Sequence, residues 1–355
     1  MITYFLFILI ALMLYDLIRQ CFIRDEYLSR KGKFVIVSGC DSGFGKQLAI
    51  DLLKNGSNVF AGFYTETGMK LFENECQNLE PSRGTLYSLK LDVTSDKSVE
   101  EALKFVKEIL RKKNAHLWCL INNAGVFSVY GPDDWCGMSE YMYSINVNTL
   151  GVVRMCHAFV PLVKKCRGRI VTMASSAGRL HGLYLAPYAT SKFAVEGYMD
   201  CLRLELQPFG VSVHILEPGA FKTELLDLNA NRQRIEETWN KTSLETKFEY
   251  GEDYKNNFEI AWNIGINLVA NSNLNWVTQC YTHAIFSKNP KLRYTPGWDA
   301  ILLFVPLSVF PASIQDRILS MLYYLAPGPK MVPAALHRRK SAHKSRSNST
   351  FECSL

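Results

Sequence analysis

Two side chains near the middle of the sequence have the types and spacing of an acid/base pair. Tyr188 and Lys192 lie four residues apart, so a helix would place them on one face. A free tyrosine has a pKa of about 10, and acting as a base near neutral pH requires a drop of roughly 2–3 units, or about 3–4 kcal/mol. One ammonium about 4 Å away, at an effective dielectric of about 20, supplies about 4 kcal/mol. We therefore expect Lys192 alone nearly to suffice for making Tyr188 a base.

The same spacing occurs a second time, at Tyr27 and Lys31. That pair precedes the first predicted strand, whereas Tyr188 and Lys192 open the helix that follows the fifth. Because catalytic groups must reach a cleft, we assign the chemistry to Tyr188 and Lys192.

A glycine-rich turn gives the second chemical signal. A predicted strand runs directly into Gly39-Cys40-Asp41-Ser42-Gly43-Phe44-Gly45, and a predicted helix follows. Glycines at a strand-to-helix turn let the backbone approach a pyrophosphate, whose charge then meets the unpaired N–H groups of the helix N-terminus. The placement predicts a dinucleotide site, and the alternative is an ordinary tight turn.

Polar residues follow two more predicted strands. Asp92 and Val93 come after one of them, and Asn122-Asn123-Ala124-Gly125 come after the next. Ligands bind at the carboxyl ends of strands in open parallel sheets, which favours a role in the same site. Asn and Gly are also common in turns, so the alternative is purely structural.

The elements that must position these residues follow from six short apolar runs separated by helical stretches. The runs are Phe34–Ser38, Asn58–Gly62, Leu86–Leu91, Leu117–Ile121, Arg169–Met173 and Val211–Leu216. This alternation predicts an α/β fold with a doubly wound, Rossmann-type parallel sheet. Ser95 should cap a helix that reaches Lys113, and Gly56 should end the helix over 45–55. No internal repeat or interdomain linker is evident, so residues 33–335 form one predicted catalytic domain.

In order and spacing, these motifs resemble those of the short-chain dehydrogenase/reductase family over about residues 33–325. The resemblance is carried by the glycine turn, Asn122-Asn123-Ala124-Gly125, Ser175, the Tyr188/Lys192 pair and Pro218-Gly219. The glycine turn, residues 194–197 and 217–223, and an apolar N-terminal segment are most similar to the family's membrane-associated retinol and 17β-hydroxysteroid dehydrogenase branch.

The resemblance implies a role for each matching residue. Tyr188 would be the general acid/base and Lys192 would lower its pKa while holding the cofactor ribose. Ser175 would bind the substrate oxygen beside Tyr188, with Ser176 as its rival. Asn148 would be the catalytic asparagine, with Asn146 as the near miss. The implied cofactor-binding residues, besides Tyr188 and Lys192, are Gly39, Asp41, Ser42, Gly43, Phe44, Gly45, Asp92, Val93, Asn123, Ala124, Gly125, Pro218, Gly219 and Thr223, the last of which would hold the nicotinamide carboxamide.

The type of dinucleotide is normally read at the end of the second strand, from an acid for a ribose 2′-OH or an Arg for a 2′-phosphate. This chain has Gly62-Phe63-Tyr64-Thr65 there, neither acid nor base. Asp41 in the glycine turn, with no cation before Gly43, disfavours a phosphate dianion nearby. We therefore predict NAD(H) rather than NADP(H).

The predicted function is hydride transfer between this cofactor and a hydrophobic secondary or allylic alcohol, retinol- or hydroxysteroid-like. One alternative is an NADPH-linked carbonyl reductase working in the opposite direction, and another is a catalytically silent dinucleotide-binding scaffold at a membrane. A substrate lid is expected over about 220–310, where aromatic residues fit a flat or polyene alcohol but could equally be ordinary core. These aromatic residues are Phe221, Trp239, Phe248, Tyr250, Tyr254, Phe258, Trp262 and Trp276.

The chain has 355 residues and a net charge of +7, which lies mostly at its ends. Residues 19–33 carry +3, residues 336–355 carry +4, and residues 34–335 only +1. A nucleic-acid-binding protein should instead carry its positive charge across a folded face, so this class is disfavoured. The ten cysteines include no CxxC pair, so neither zinc nor another metal is predicted.

The apolar run over residues 2–18 is near the lower limit of the roughly 17–25 residues that cross a bilayer. We predict a membrane anchor over 1–18, a basic linker over 19–32 and a disordered basic tail over 336–355. The positive-inside tendency and the resemblance favour the endoplasmic reticulum with the domain facing the cytosol, while sequons at Asn55, Asn240 and Asn348 leave a lumenal orientation as the alternative.

A second apolar run, 301–310, is too short to span a bilayer and is either core or an interfacial patch near the substrate entrance. A homodimer is left open.

Overall fold

The computed structural model describes residues 26–77, 79, 84–336 and 338. The predicted anchor over 1–18, the first part of the basic linker and nearly all of the predicted tail lie outside the described residues. In the part that is described, no helix is both long enough and apolar enough to cross a bilayer. The described end of the linker packs on the body, where the Leu28 amide donates to the Phe286 carbonyl at 2.7 Å.

Seven parallel strands form one sheet in the order β3-β2-β1-β4-β5-β6-β7. The strands are β1 Phe34–Ser38, β2 Asn58–Phe63, β3 Leu86–Lys90, β4 Leu117–Asn122, β5 Arg169–Met173, β6 Ser212–Leu216 and β7 Arg293–Tyr294. The predicted doubly wound parallel sheet is confirmed, and each of the six predicted runs forms a strand within one or two residues. The order reverses between β1 and β4, so a cleft opens at their carboxyl ends.

The seventh strand was not predicted. It has only two residues, which pair with β6 in the register Ile215 to Arg293 and Leu216 to Tyr294. A two-residue strand that begins with an arginine has no apolar run by which periodicity could reveal it.

Helices connect the strands on both faces of the sheet. They are α1 Gly43–Lys54, α2 Glu66–Gln77, α3 Asp96–Lys112, α4 Met138–Ile145, α5 Gly151–Lys164, α6 Ala186–Leu206, α7 Leu228–Lys241, α8 Leu244–Tyr250, α9 Glu252–Val269, α10 Asn275–Phe286, α11 Val305–Leu307 and α12 Ala312–Leu325. The predicted helix signals are confirmed: the Ser95 hydroxyl accepts from the Ser98 amide at the start of α3, and Gly56 follows α1 with φ +83°.

The two faces of the sheet bury separate cores because side chains alternate along each strand. Ile36, Phe60 and Leu120 face α3, α5 and α6, whereas their neighbours Val35 and Val37 face α1 and α10. Each such fully buried side chain contributes about 1.5–3 kcal/mol. The sheet that carries the cleft is thereby held rigid from both sides.

A third cluster lies outside the sheet and builds the lid. Trp135 packs edge-on against Trp239 at 4.6 Å between ring centroids, with Tyr254 and Phe258 around it. The predicted lid over 220–310 is partly wrong, because α10 covers the sheet and residues 293–294 belong to it. The lid consists instead of α7 to α9 together with the segments after β7.

Candidate active site

One cleft of about 950 Å³ lies at the carboxyl ends of the central strands, between the sheet and the lid. Nearly all the predicted cofactor residues line it, as do Ser175, Tyr188 and Lys192. The structure therefore brings together motifs that lie up to 184 positions apart, from Gly39 to Thr223.

The glycine turn packs so closely against neighbouring residues that two of its positions have no room for a side chain. Gly39 has φ +71°, and a Cβ there would lie 2.8 Å from the Ala124 Cα. A Cβ on Gly45 would lie 2.1 Å from the Gly39 carbonyl oxygen and 2.4 Å from the Asn123 side-chain nitrogen. Side chains at these two positions would break the turn, so only glycine is compatible with this geometry.

The N-terminus of α1 faces the cleft, and no side chain of the described residues caps its backbone N–H groups. Ser42 is the N-cap but its side chain accepts no bond from the helix, and the first turn holds no acid. Unpaired N–H groups at the positive end of a helix attract a phosphate group. This end of the cleft fits the pyrophosphate of a dinucleotide.

Asp41 joins the glycine turn to the end of β2. Its carboxylate accepts from the Tyr64 amide at 2.8 Å, and from the Thr65 amide and hydroxyl at 2.8 and 2.7 Å. The sequence has no acid at the end of β2, but the fold places Asp41, which follows β1, beside that strand end. The end of the second strand is where proteins with this type of sheet contact the ribose of a dinucleotide.

The polar ends of β3 and β4 form the floor of the cleft. Asp92 accepts from the Thr94 amide and hydroxyl at 2.8 and 2.7 Å, and Val93 packs against Gly151. The Asn123 side chain donates to the Ser38 and Gly39 carbonyls at 3.1 and 3.0 Å. These bonds fix the shape of the floor.

The acid/base candidate lies where the cleft becomes apolar. Tyr188 is buried near the start of α6, where the Ser175 side chain acts to lower its pKa, and its ring packs edge-on against Phe127 at 4.8 Å. The Ser175 hydroxyl also accepts from the Ala177 amide at 3.1 Å, which fixes its rotamer. The rival, Ser176, donates its amide to the Pro218 carbonyl at 3.0 Å. Of the two serines, it is thus Ser175 whose side chain acts on the tyrosine.

Tyr188 is a weaker acid in the protein than a free tyrosine. Burial raises the pKa of Tyr188 to about 12, and the hydrogen bond with Ser175 acts in the opposite direction. The Lys192 ammonium is 5.7 Å from the ring centroid. Burial thus opposes the phenolate form of Tyr188, and the expectation that Lys192 alone nearly suffices stays a prediction.

Lys192 lies one turn further along α6, beneath the floor of the cleft. Its ammonium donates to the Met173 carbonyl at 3.1 Å, and a Cβ on Gly125 would lie 3.6 Å from it. An ammonium has three donors, so two remain for a ligand in the cleft. Burial lowers the pKa of Lys192 to about 8, and the charge of Glu196 acts in the opposite direction.

Asn148 lies behind the cleft instead of along it. Its side-chain oxygen accepts from the Val126 amide at 2.8 Å, and its nitrogen donates to the Val126 carbonyl and the Ser191 hydroxyl at 3.0 and 2.9 Å. It sits in a π-helical turn, Asn146–Leu150, which the sequence did not reveal. The Asn148 side chain thus holds the Val126 backbone and Ser191 in place. The near miss Asn146 lines the cleft and accepts from Arg154 at 3.0 Å.

The loop after β6 closes the opposite side of the cleft. Pro218, Gly219 and Thr223 line it. Thr223 lies opposite Gly43, and its Cβ would be 3.6 Å from a Cβ on that glycine. The Asp299 carboxylate, which the sequence did not single out, accepts from the Ala220 amide at 2.7 Å. Ala220 and Asp299 are 79 positions apart, so no local sequence pattern could predict this contact.

The far end of the cleft is apolar. Phe127, missed in the sequence, links Tyr188 to Trp262, whose ring stacks on it at 6.3 Å. The other apolar side chains there include Leu180, Leu183, Phe258, Leu303, Phe304 and Met331. Of the eight predicted lid aromatics only Phe221, Phe258 and Trp262 line the cleft, while most of the others pack around Trp135 or Trp298. Core packing, the alternative interpretation, thus applies to most of them.

Residues 33–234 match the family model described as short chain dehydrogenase. Among curated relatives, the 3beta-hydroxysteroid dehydrogenase dhs-16 of Caenorhabditis elegans is 60% identical over 92% of this chain and 84% of its own. The 17-beta-hydroxysteroid dehydrogenase type 6 of Bos taurus is 38% identical over 89% and 96% of the two chains. Retinol dehydrogenase 7 of Rattus norvegicus is 35% identical over 88% and 96%.

Solved structures share the fold. A short chain dehydrogenase/reductase from Burkholderia phymatum in complex with NAD superposes with a TM-score of 0.63, at 21% identity and over 79% of this chain and 94% of its own. A short chain dehydrogenase from Burkholderia cenocepacia in complex with NADP gives 0.60, at 20% identity and over 82% and 99%. At these identities the likeness concerns the fold alone.

Proposed function

The chain belongs to the short-chain dehydrogenase family and is an NAD(P)-dependent oxidoreductase of alcohols and carbonyls, and we propose that Tyr188 and Ser175 convert a hydrophobic alcohol at the apolar end of the cleft. One observation carries the proposal: Tyr188 and Ser175 both line the cleft at the boundary between its glycine-turn half and its apolar half. A substrate alcohol reaching this boundary meets a proton acceptor and a second hydroxyl at once.

In this mechanism the Ser175 hydroxyl holds the substrate oxygen while Tyr188, as phenolate, accepts its proton. A bound nicotinamide supplies the hydride acceptor and, when oxidised, a positive charge that adds to that of Lys192. The fixed rotamer of Ser175 orients the substrate oxygen, and Phe127 and Trp262 exclude water from the carbon side. The high pKa of Tyr188 suits it to return the proton in the reverse direction.

NAD(H) is the proposed cofactor. The Asp41 carboxylate, which lies beside Tyr64 and Thr65 at the end of β2, supports it because a 2′-phosphate there would meet a negative charge. The residues before Gly43 in the turn include no lysine or arginine to offset that charge.

The proposed substrate is a secondary or allylic alcohol of the hydroxysteroid or retinol kind. The apolar half of the cleft supports this, as do relatives named for both classes. The relative at 60% identity makes 3-hydroxysteroids the first compounds to test.

We also propose that the cleft receives its substrate from a membrane. Leu268 and Leu322 line the cleft yet are 67% and 38% exposed, so its mouth is apolar on the outside as well. Exposed Leu302, Val309 and Phe310 continue this surface. Apolar patches around a pocket mouth are typical of membrane contact.

The test is substitution of Tyr188 by Phe, assayed with a panel of steroid and retinoid alcohols. We expect kcat to fall roughly 10²–10⁴-fold, the range that general acid/base groups contribute, with the Kd for NADH unchanged. Tyr198→Phe, on the same helix but away from the cleft, is the matched control and should keep its activity. Full activity of Tyr188→Phe would overturn the assignment.

Initial rates of the unaltered chain with both dinucleotides separate the alternatives. Faster NADPH-driven carbonyl reduction would favour the reductase. Binding of NADH without turnover of any alcohol would favour the silent scaffold.

A further inference from the structure

A cluster of charged residues built on two buried glutamates lies next to the acid/base pair. Glu196 and Glu217 are only 5% and 0% exposed. Arg293 donates to both of them and also to both carboxylate oxygens of Asp200, at 2.7 Å each. Arg179 donates to Glu217 at 3.1 Å. The mechanism above uses none of these groups.

The cluster joins three segments of the active site. Arg179 directly follows the turn that holds Ser175, Glu217 directly precedes Pro218, and Glu196 lies one turn of α6 after Lys192. The approach of these segments is close: a Cβ on Gly178 would lie 2.9 Å from the Lys192 carbonyl oxygen and 3.0 Å from the Glu196 Cγ. Glu196 is thus held against both halves of the catalytic machinery.

A purely structural clamp does not account for the cluster. Glu196 and Glu217 each keep one buried carboxylate oxygen without a hydrogen-bond partner in the part of the chain that the structure describes. Buried ion pairs are costly, and apolar side chains of similar volume often replace them without loss of stability. A negative charge that Glu196 maintains despite this desolvation cost acts on buried charges close to it. The nearest cation on the same helix is Lys192.

We propose that Glu196 is a positioning residue that maintains a negative charge one helical turn from Lys192 and so keeps the lysine ammonium charged when the dinucleotide binds. The inference rests on the proposed function of Lys192 as a ligand of the cofactor. Burial works against the charged form of Lys192, and Glu196 is the group that works for it.

The charge of Glu196 in turn depends on every group that faces it. Burial and the neighbouring Glu217 raise the pKa of Glu196 to about 7, and Arg293 and Arg179 act in the opposite direction. Asp200, further along α6, accepts from the other nitrogen of Arg293 and is itself paired with Arg203 at 2.5 Å. Arg293, on the unpredicted strand β7, thus helps to keep Glu196 ionised above about pH 7.

The test is the pH dependence of NADH binding to the full chain, followed by fluorescence from pH 6 to 10, with NADPH in parallel. Affinity should fall above the pKa of Lys192, and Lys192→Met should abolish this fall. Glu196→Gln should move the midpoint down by about one pH unit, since charges about 6 Å apart on a helix interact by at least that much at an effective dielectric of about 20. Glu196→Met should do the same, whereas Glu196→Asp should restore the original midpoint.

Asp200→Asn is the matched control, because it removes a carboxylate from the same helix and the same arginine but lies two turns from Lys192. Its midpoint should stay unchanged. An unmoved midpoint in folded Glu196→Gln or Glu196→Met, or an equal shift in Asp200→Asn, would overturn the inference. If the unaltered chain shows no fall that depends on Lys192, the proposed function of Lys192 fails instead.

Discussion

At the scale of single residues, the site depends on groups whose charge is set by burial. Burial works against ionisation of Tyr188 and of Lys192 alike, so neither is prepared for catalysis by its partner alone. Two carboxylates lie outside the acid/base pair: Asp41 lines the end of the cleft formed by the glycine turn, and Glu196 lies one helical turn behind Lys192. The charge of the site therefore depends on residues outside the acid/base pair.

Asp41 gives the prediction at this scale. Asp41→Asn removes the negative charge beside Tyr64 and Thr65 and keeps one oxygen, which can accept from the Thr65 amide and hydroxyl but not also from the Tyr64 amide. We expect NADPH to bind about tenfold more tightly relative to NADH, because one unfavourable interaction of about 1.4 kcal/mol is lost. Competitive titration of both dinucleotides measures the ratio.

Glu66→Gln is the matched control, since it removes an exposed acid from the nearby start of α2 that does not line the cleft. It should leave the ratio of the two affinities unchanged. An equal change in both variants would point to net charge and not to Asp41.

At the scale of elements, the edge formed by β6 and β7 carries more than its length suggests. β7 has two residues, yet its Arg293 binds the buried acids of α6 and of the β6 terminus. His214 on β6 is also buried there, bonded to the Lys291 carbonyl at 2.7 Å and the Ser212 hydroxyl at 3.0 Å. The edge of the sheet should therefore be sensitive to acid.

Burial lowers the pKa of His214 to about 3. The unfolded chain, whose histidine has a pKa of about 6.5, binds the proton first, so stability is lost as pH falls from 6.5 towards 3. The loss at pH 5 is about 2 kcal/mol, from 1.5 units at about 1.4 kcal/mol each. His214→Asn should show a smaller drop in Tm between pH 7 and pH 5 than the unaltered chain. His181→Asn, at an exposed histidine, should show the original drop, and an unchanged slope in His214→Asn would exclude this source of acid sensitivity.

At the scale of the whole molecule, the lid faces the cleft on one side and presents apolar residues outward on the other. Helix α12 has no buried residue, although its sequence ASIQDRILSMLYYL is rich in apolar side chains. In residues 301–310, Leu303 and Phe304 line the cleft while Leu302 and Val309 are 70% and 76% exposed. The run is thus partly cleft wall and partly exposed surface.

The proposed membrane contact predicts a defect that depends on how the substrate is delivered. Leu302→Asp with Val309→Asp should raise KM about tenfold or more for a steroid alcohol in phosphatidylcholine vesicles, since two charges now oppose docking. KM for a short water-soluble alcohol should not change. The control, Leu204→Asp with Leu292→Asp, alters exposed leucines away from the mouth and should leave both values intact. Equal effects in the two double variants would contradict a localised docking surface.

The sequence by itself determined the family, six of the seven strands that the structure describes and most of the polar residues that meet in the cleft. Strand periodicity, the glycine turn and the Tyr188/Lys192 spacing are patterns of residues close together in the sequence, so they can be identified without the structure. The relation of these motifs to a known family is confirmed by the match over residues 33–234.

Only the tertiary structure decided what surrounds those motifs. It placed Asp41 at the end of β2, turned Asn148 away from the cleft and brought Arg293 to Glu196 across 97 positions. It also buried Tyr188, which raises the pKa of this side chain. These outcomes depend on packing and desolvation between distant segments, and neither leaves a periodic signal in the chain.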